Sequence, residues 1–152
     1  MPNVTGGQAI VRALKMNGVE VVFGIPGTHT LPIFDALLDT DVKVIQVRHE
    51  QTAAFMADGY ARVTGKPGVL LTITGPGALN ATAGIGTAYF DSSPILTVSA
   101  NVQTASLDKG KGALHETKDQ WAVFKAITKW AGRGSAVDEL PELVDRAFRE
   151  ML

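Results

Sequence analysis

The chain has 152 residues, 45% hydrophobic and 19% charged, with 14 Lys and Arg against 15 Asp and Glu and a formal net charge of −1, enough apolar material for one folded domain rather than a disordered chain. The charge is balanced in each half, six basic and six acidic residues through Pro76 and eight and nine beyond it, so no basic face offers itself to a run of phosphates and nucleic acid is not expected as a partner. The absence of cysteine excludes disulfides, thiolate zinc sites and a cysteine nucleophile, and the absence of a charged-then-apolar leader at Met1-Pro2-Asn3-Val4-Thr5 or of a long apolar run predicts a soluble cytoplasmic domain without a membrane partner.

Thr5 can cap a helix that runs to about Asn17, with Ile10, Val11, Ala13 and Leu14 on one side and Gly18 at its carboxyl end. Val21-Val22-Phe23 reads as a buried strand that ends at Gly24-Ile25-Pro26-Gly27. A short helix over Leu31 to Leu38 and a second strand over Val42 to Val47 follow. A long helix runs from about Glu50 to Thr64, with Ala53, Ala54, Ala57 and Ala61 on one face and Gly65 at its close. Val69 to Thr74 is the third strand and ends at Gly75-Pro76-Gly77, from which one small-residue helix is expected to reach about Phe90. The fourth strand spans Pro94 to Ser99. Residues 101–118 are polar and aperiodic, Gln120 to Thr128 is helical, Trp130-Ala131 can start a short strand, and a last helix opens at Asp138 or Pro141.

Strands alternating with helices predict an α/β fold, a doubly wound and mostly parallel sheet with helices on both faces. Runs such as Val69-Leu70-Leu71 are apolar on both sides, as strands covered from both faces require. One domain over residues 1–152 accounts for the whole chain. The final helix ends at Glu150-Met151-Leu152 with neither cap nor following strand, so a longer parent chain is expected.

Ligands of an open parallel sheet sit outside the carboxyl ends of its strands. Gly24-Ile25-Pro26-Gly27, Arg48-His49-Glu50-Gln51, Thr74-Gly75-Pro76-Gly77 and the loop after Ser99 fall on that edge. Glu50 opens a helix, where an acid is favoured by the macrodipole alone. The alanine face behind it places the same carboxyl close to the sheet, where it would be partly desolvated and could share a proton with a heterocyclic nitrogen. Gly75-Pro76-Gly77-x-x-Asn80 has two of the three glycines of a dinucleotide turn, so a simple Rossmann-like nucleotide-binding module stays open as an alternative. No Walker A, G-x-S-x-G or H-E-x-x-H pattern occurs. His29 lies just after a glycine turn and can either shuttle a proton or stand in solvent, and His115 in the irregular loop has the same two readings. His49 suits packing or hydrogen bonding, and Lys109-Gly110-Lys111 a solvated loop. Three scattered histidines without an acidic cluster predict no metal site in this chain.

Six segments occur in one order and spacing: Val22-Phe23-Gly24-Ile25-Pro26-Gly27, Arg48-His49-Glu50-Gln51, Ala57-Asp58-Gly59-Tyr60-Ala61-Arg62, Thr74-Gly75-Pro76-Gly77-x-x-Asn80, Asp91-Ser92-Ser93-Pro94 and Ile127-Thr128-Lys129. Together they resemble the amino-terminal pyrimidine-binding domain of thiamine-diphosphate enzymes of the acetolactate synthase group, over nearly the whole chain. The resemblance implies that Glu50 hydrogen-bonds N1′ of the aminopyrimidine and favours the imino tautomer, whose 4′-nitrogen takes the C2 proton to form the ylide. It implies that Pro26, Gly27, Thr74, Gly75 and Pro76 line the pyrimidine slot and that Asn80 orders the turn. His29 and the Trp130 segment are similar to benzaldehyde lyase and related carboligases, in which that histidine is an active-site acid–base group, and His115-Glu116 stands where acetolactate synthases have Gln-Glu. His29 and His115 are thus candidate proton-transfer groups.

The group's second domain carries a Gly-Asp-Gly motif and a downstream Asn that hold magnesium and the diphosphate, and no Gly-Asp-Gly occurs here. The implied partners are therefore a second catalytic domain, on the same or another chain, and a further copy in a dimer or tetramer. The implied cofactor is thiamine diphosphate, of which this chain meets the pyrimidine half. Mg2+ is expected only with the missing domain. The implied substrate is a 2-oxo acid or aldehyde, the implied activity that of a decarboxylase or carboligase, and the chain alone is expected to be inactive. A non-catalytic dimerisation domain of the same fold is the other alternative.

Overall fold

The computed structural model describes residues 4–152; Met1-Pro2-Asn3 of the amino-terminal segment lies outside them. The elements in chain order are α1 (Gly6–Met16), β1 (Val21–Gly24), α2 (Leu31–Leu38), β2 (Lys43–Gln46), α3 (Glu50–Thr64), β3 (Gly68–Thr72), α4 (Pro76–Asn80), α5 (Thr82–Phe90), β4 (Ile95–Ser99), α6 (Gln120–Ile127) and α7 (Leu140–Met151), the last preceded by a 3-10 turn over Val137–Glu139. The Thr5 cap is a reciprocal box: Gln8 N–H donates to Thr5 Oγ1 at 3.2 Å and Thr5 N–H to Gln8 Oε1 at 3.1 Å.

Four parallel strands form one sheet in the order β2-β1-β3-β4. Val22 pairs with Val44 on one side and Val69 on the other, and Leu70 with Thr97. Among the described residues all pairings are parallel, which agrees with the expected doubly wound α/β class. The chain winds to β2 on one side of β1 and then returns to β3 on the other, so the switch point lies between β1 and β3. Two cores follow. On one face Val11 and Leu14 of α1, Ile33 and Phe34 of α2 and Val144 and Phe148 of α7 pack on Val22, Val69 and Leu71. On the other, Ala53, Ala54 and Ala57 of α3 and Ile85 of α5 pack on Val21, Phe23 and Leu70, with Phe124 and Ile127 of α6 at the margin. Each fully buried Leu or Ile contributes roughly 1.5–3 kcal/mol.

The alanine face of α3 brings backbone against backbone. A side chain at Gly68 would run into the Ala57 carbonyl, and a Cβ at Gly84 would stand 2.6 Å from that of Ala54. Outward, the same helices leave Phe55, Met56, Val63, Tyr89 and Phe90 exposed. No helix of the described residues is long and apolar enough to cross a membrane.

Three sequence expectations are corrected. The small-residue helix is two helices, because the Thr82 hydroxyl donates to the Leu79 carbonyl at 2.7 Å and the path steps at Ala81. β3 stops at Thr72, not Thr74, since the Thr74 hydroxyl and Gly75 N–H turn to a side chain instead of a strand. Trp130-Ala131 starts no strand: the Trp130 carbonyl accepts from Thr128 Oγ1 and the Ala131 carbonyl from Trp121 Nε1, while the Trp130 ring packs beneath Arg146.

Asp58 is buried on α3 and takes Arg62 Nε at 2.9 Å, while Arg62 Nη2 reaches Asp91 at 2.5 Å. Burial, the largest single effect, raises the Asp58 carboxyl, but the lowering contributions, led by the Arg62 hydrogen bond, together outweigh it and hold the group below its ordinary value of 3.8. A carboxyl depressed in the folded state stabilises it above that value and loses the contribution as pH falls. Arg62→Met is expected to lower stability at pH 7, because it strips the buried Asp58 carboxyl of its cation. Urea melts of parent and variant should converge as the pH drops below 3.8.

Candidate functional site

The carboxyl ends of all four strands open on one edge, and the candidate residues gather there. β1 delivers the Pro26-Gly27 turn, β2 the start of α3 with Glu50, β3 the Gly75-Pro76-Gly77 turn, and β4 the loop that holds His115. The two glycine turns leave the adjacent strands β1 and β3, so they flank the switch point at which ligands of such sheets bind.

Glu50 is the first residue of α3 and is 9% exposed. His49 before it is the cap, its Nδ1 accepting from Gln51 N–H at 3.2 Å, so the acid is free of capping duty. Oε2 accepts from the Asn80 side-chain amide at 3.0 Å, the single hydrogen bond of the carboxylate among the described residues. The other oxygen faces Gly77, where an added Cβ would lie 3.0 Å from Oε1. A carboxyl so placed has an oxygen left to give or take a proton at a planar nitrogen brought to this sheet edge.

Ile73 ties the turns together. A Cβ on Gly27 would come within 2.9 Å of its Cδ1, and one on Gly77 would overlap its Cγ2. Thr30, fully buried, stiffens the first turn: its hydroxyl accepts from Gly27 N–H and bonds the Gly27 carbonyl at 3.1 Å. In the second turn Gly75 has φ +60° and ψ −112°, and its Cα lies against the His115 carbonyl. The structure therefore brings Glu50, Gly27, Thr74, Gly75, Asn80, His29 and His115 into one neighbourhood. Pro26 and Pro76 stand exposed on its rim.

The His29 and His115 rings meet edge to face with centroids 6.3 Å apart. His29 Nδ1 is buried without a hydrogen-bond partner, while His115 is exposed with φ +60°. Burial pushes the His29 imidazole below its ordinary 6.5, and the neighbouring His115 lowers it further. A base depressed in the folded state is protonated first in the unfolded chain, so folding loses stability as pH falls through 6.5. Proton NMR should titrate His29 below 6.5, and His115→Ala should move the midpoint up without restoring it fully, because burial remains. A midpoint unmoved by that substitution overturns the coupling.

Three contributors escaped the sequence reading. Ile73 read as strand, and Thr30 carried no reading. Gln120 read only as the start of α6, yet it is buried and bonds Thr74, Gly75, Ser99 and Ala100. Its partners lie about 20 and 45 positions away, so no local pattern could have flagged it.

The sequence matches the family described as thiamine pyrophosphate enzyme, N-terminal TPP binding domain, over residues 4–123. It is 51% identical over 95% of its length to a probable 2-ketoarginine decarboxylase of Pseudomonas aeruginosa, covering 26% of that protein. It is 43% identical over 94% of its length to a probable acetolactate synthase large subunit of Methanocaldococcus jannaschii, covering 24%, and 42% identical over 95% to an acetolactate synthase of Bacillus subtilis, covering 25%. The chain thus spans about a quarter of the length of the curated relatives it matches. With the family model matched over residues 4–123, the chain belongs to the N-terminal TPP-binding domains of the thiamine pyrophosphate enzymes.

Proposed function

We propose that residues 1–152 form the pyrimidine-side domain of a thiamine-diphosphate-dependent 2-oxo acid decarboxylase or carboligase. The observation that carries the reading is the Glu50 carboxylate, buried at the ligand edge with one oxygen held by Asn80 and the other against a glycine. Thiamine diphosphate, when bound, supplies a carbon nucleophile and an electron sink. Glu50 holds a proton between its carboxyl and the ring nitrogen N1′ of the pyrimidine. Asn80 fixes the carboxylate's rotamer through Oε2 and leaves Oε1 for that exchange. Gly27, Thr74 and Gly75 form the walls, with Pro26 and Pro76 at the mouth. Gly77 admits the ring's edge to the carboxylate because any side chain there would crowd Oε1. His29, held below its ordinary pKa by burial and by His115 and with an unpartnered Nδ1, takes or gives a proton at the substrate.

The substrate in this reading is a 2-oxo acid or aldehyde, consistent with relatives named for 2-ketoarginine decarboxylation and acetolactate synthesis. The diphosphate and Mg2+ fall to a second domain, so the isolated chain is inactive. The exposed Phe55, Met56, Val63, Tyr89 and Phe90 of α3 and α5 form the face for a second copy in a cytoplasmic homo-oligomer.

The test is C2-proton exchange of thiamine diphosphate followed by NMR in the full-length protein. Exchange well above that of the free cofactor is expected. A rate equal to the free cofactor's overturns the reading.

A further inference from the structure

We propose that Gln120 is a positioning residue that sets the Gly75-Pro76-Gly77 turn against the Glu50 carboxylate. The inference rests on the reading of Glu50 as the carboxylate that meets the cofactor ring. Gln120 lies at the start of α6, 45 positions from the Gly75 amide it bonds, and is 5% exposed. Its side-chain amide uses both ends. Oε1 accepts from Thr74 Oγ1 at 3.0 Å and from Gly75 N–H at 2.8 Å. Nε2 donates to Ser99 Oγ at 3.1 Å and to the Ala100 carbonyl at 2.8 Å. Ser99 also accepts from Thr72 Oγ1 at 2.9 Å. One side chain thus joins the end of β3 to the end of β4 just where both ladders stop, and it satisfies backbone groups that the sheet leaves open.

The consequence reaches Glu50 through a short rigid path. Gly75 adopts φ +60° and ψ −112°, close to the first central position of a type II′ turn and open to glycine far more than to other residues, and its N–H is held by Gln120 rather than by backbone. From there α4 runs only five residues to Asn80, whose amide holds Glu50 Oε2, and passes Gly77, which abuts Oε1. Rotation of the Gly75 peptide therefore moves both contacts of the carboxylate together. Gly75 also rests on the His115 carbonyl, so the same clamp fixes where the 101–119 loop lies over the turn. Misplacing a catalytic group by about 1 Å can cost on the order of a hundredfold in rate.

The experiment uses the full-length protein with Gln120→Met, which keeps length and removes the four hydrogen bonds, and Gln120→Glu, which keeps an acceptor for Thr74 and Gly75. Two readouts are taken: amide deuteration of residues 74–80 by mass spectrometry without cofactor, and C2-proton exchange with thiamine diphosphate. For Gln120→Met, faster deuteration confined to 74–80 and a C2 exchange roughly 10–100-fold slower are expected. Gln120→Glu should recover most of both. Parent-like deuteration and exchange in Gln120→Met overturn the proposal, as does loosening spread over the whole sheet, the mark of a merely structural residue. Should Gln120→Met not fold, Gln120→Asn, which withdraws the amide from the turn, is held to the same outcomes. If the parent protein itself accelerates no C2 exchange, the thiamine reading fails and the positioning role falls with it; local loosening at 74–80 would then describe a structural clamp only.

Discussion

Glu50→Gln in the full-length protein is expected to slow C2-proton exchange of bound thiamine diphosphate by about two to four orders of magnitude, with little change in melting temperature. The substitution keeps the shape of the side chain. The amide oxygen can still accept from Asn80, so the contact at 3.0 Å and the packing at the start of α3 survive. What it removes is the capacity to take up and return a proton at the oxygen facing Gly77. Some helix-dipole stabilisation is lost with the charge, roughly 0.3–1 kcal/mol, too little to unfold a domain. NMR exchange rates and a thermal melt on the same sample separate the two effects. Parent-like exchange in the variant removes Glu50 from the role.

Gly75→Ala is expected to combine the largest loss of stability with loss of the site. An alanine at φ +60°, ψ −112° carries backbone strain of about 1–3 kcal/mol. Its Cβ would also occupy the space of the His115 carbonyl, and displacing that loop adds roughly 1–3 kcal/mol more. Gly59→Ala is the control. It sits mid-helix in α3 with nothing within 4 Å of an added Cβ, and there alanine is neutral or stabilising by about 0.5–1 kcal/mol. Urea melts should rank Gly59→Ala at or above the parent and Gly75→Ala well below it. Displacement of His115 in Gly75→Ala should also let the His29 midpoint rise toward 6.5. A Gly75→Ala protein as stable as the parent would mean that the turn is not held as described.

Much of the architecture was legible because its signals are local. The Thr5–Gln8 box, Gly65 after the last turn of α3 and the alanine spacing on that helix each act within a few residues, and α3 falls on Glu50–Thr64 as read. Four apolar runs with helices between them leave little choice but a parallel sheet covered on both faces, and the sheet is so built. The misreadings have a different cause, which acts from near neighbours as well as from distant ones. The end of β3, the break at Ala81 and the coil at Trp130 are decided by side chains that capture backbone groups, namely Gln120, Thr82, Thr128 and Trp121. Periodicity carries no trace of such competition.

The site divides along the same line. The chain order and spacing of its motifs carried the resemblance to the family and marked the sheet edge and Glu50 as candidates, because a residue type at a strand end or helix start is fixed by covalent neighbours. Only the folded arrangement decided that Asn80 holds the Glu50 carboxylate, that His29 is left with an unpartnered nitrogen beside His115, and that Gln120 fastens the turn from across β4. Those are contacts between segments 30, 45 and 86 positions apart, and they exist only once burial of two apolar cores has brought the strand ends side by side.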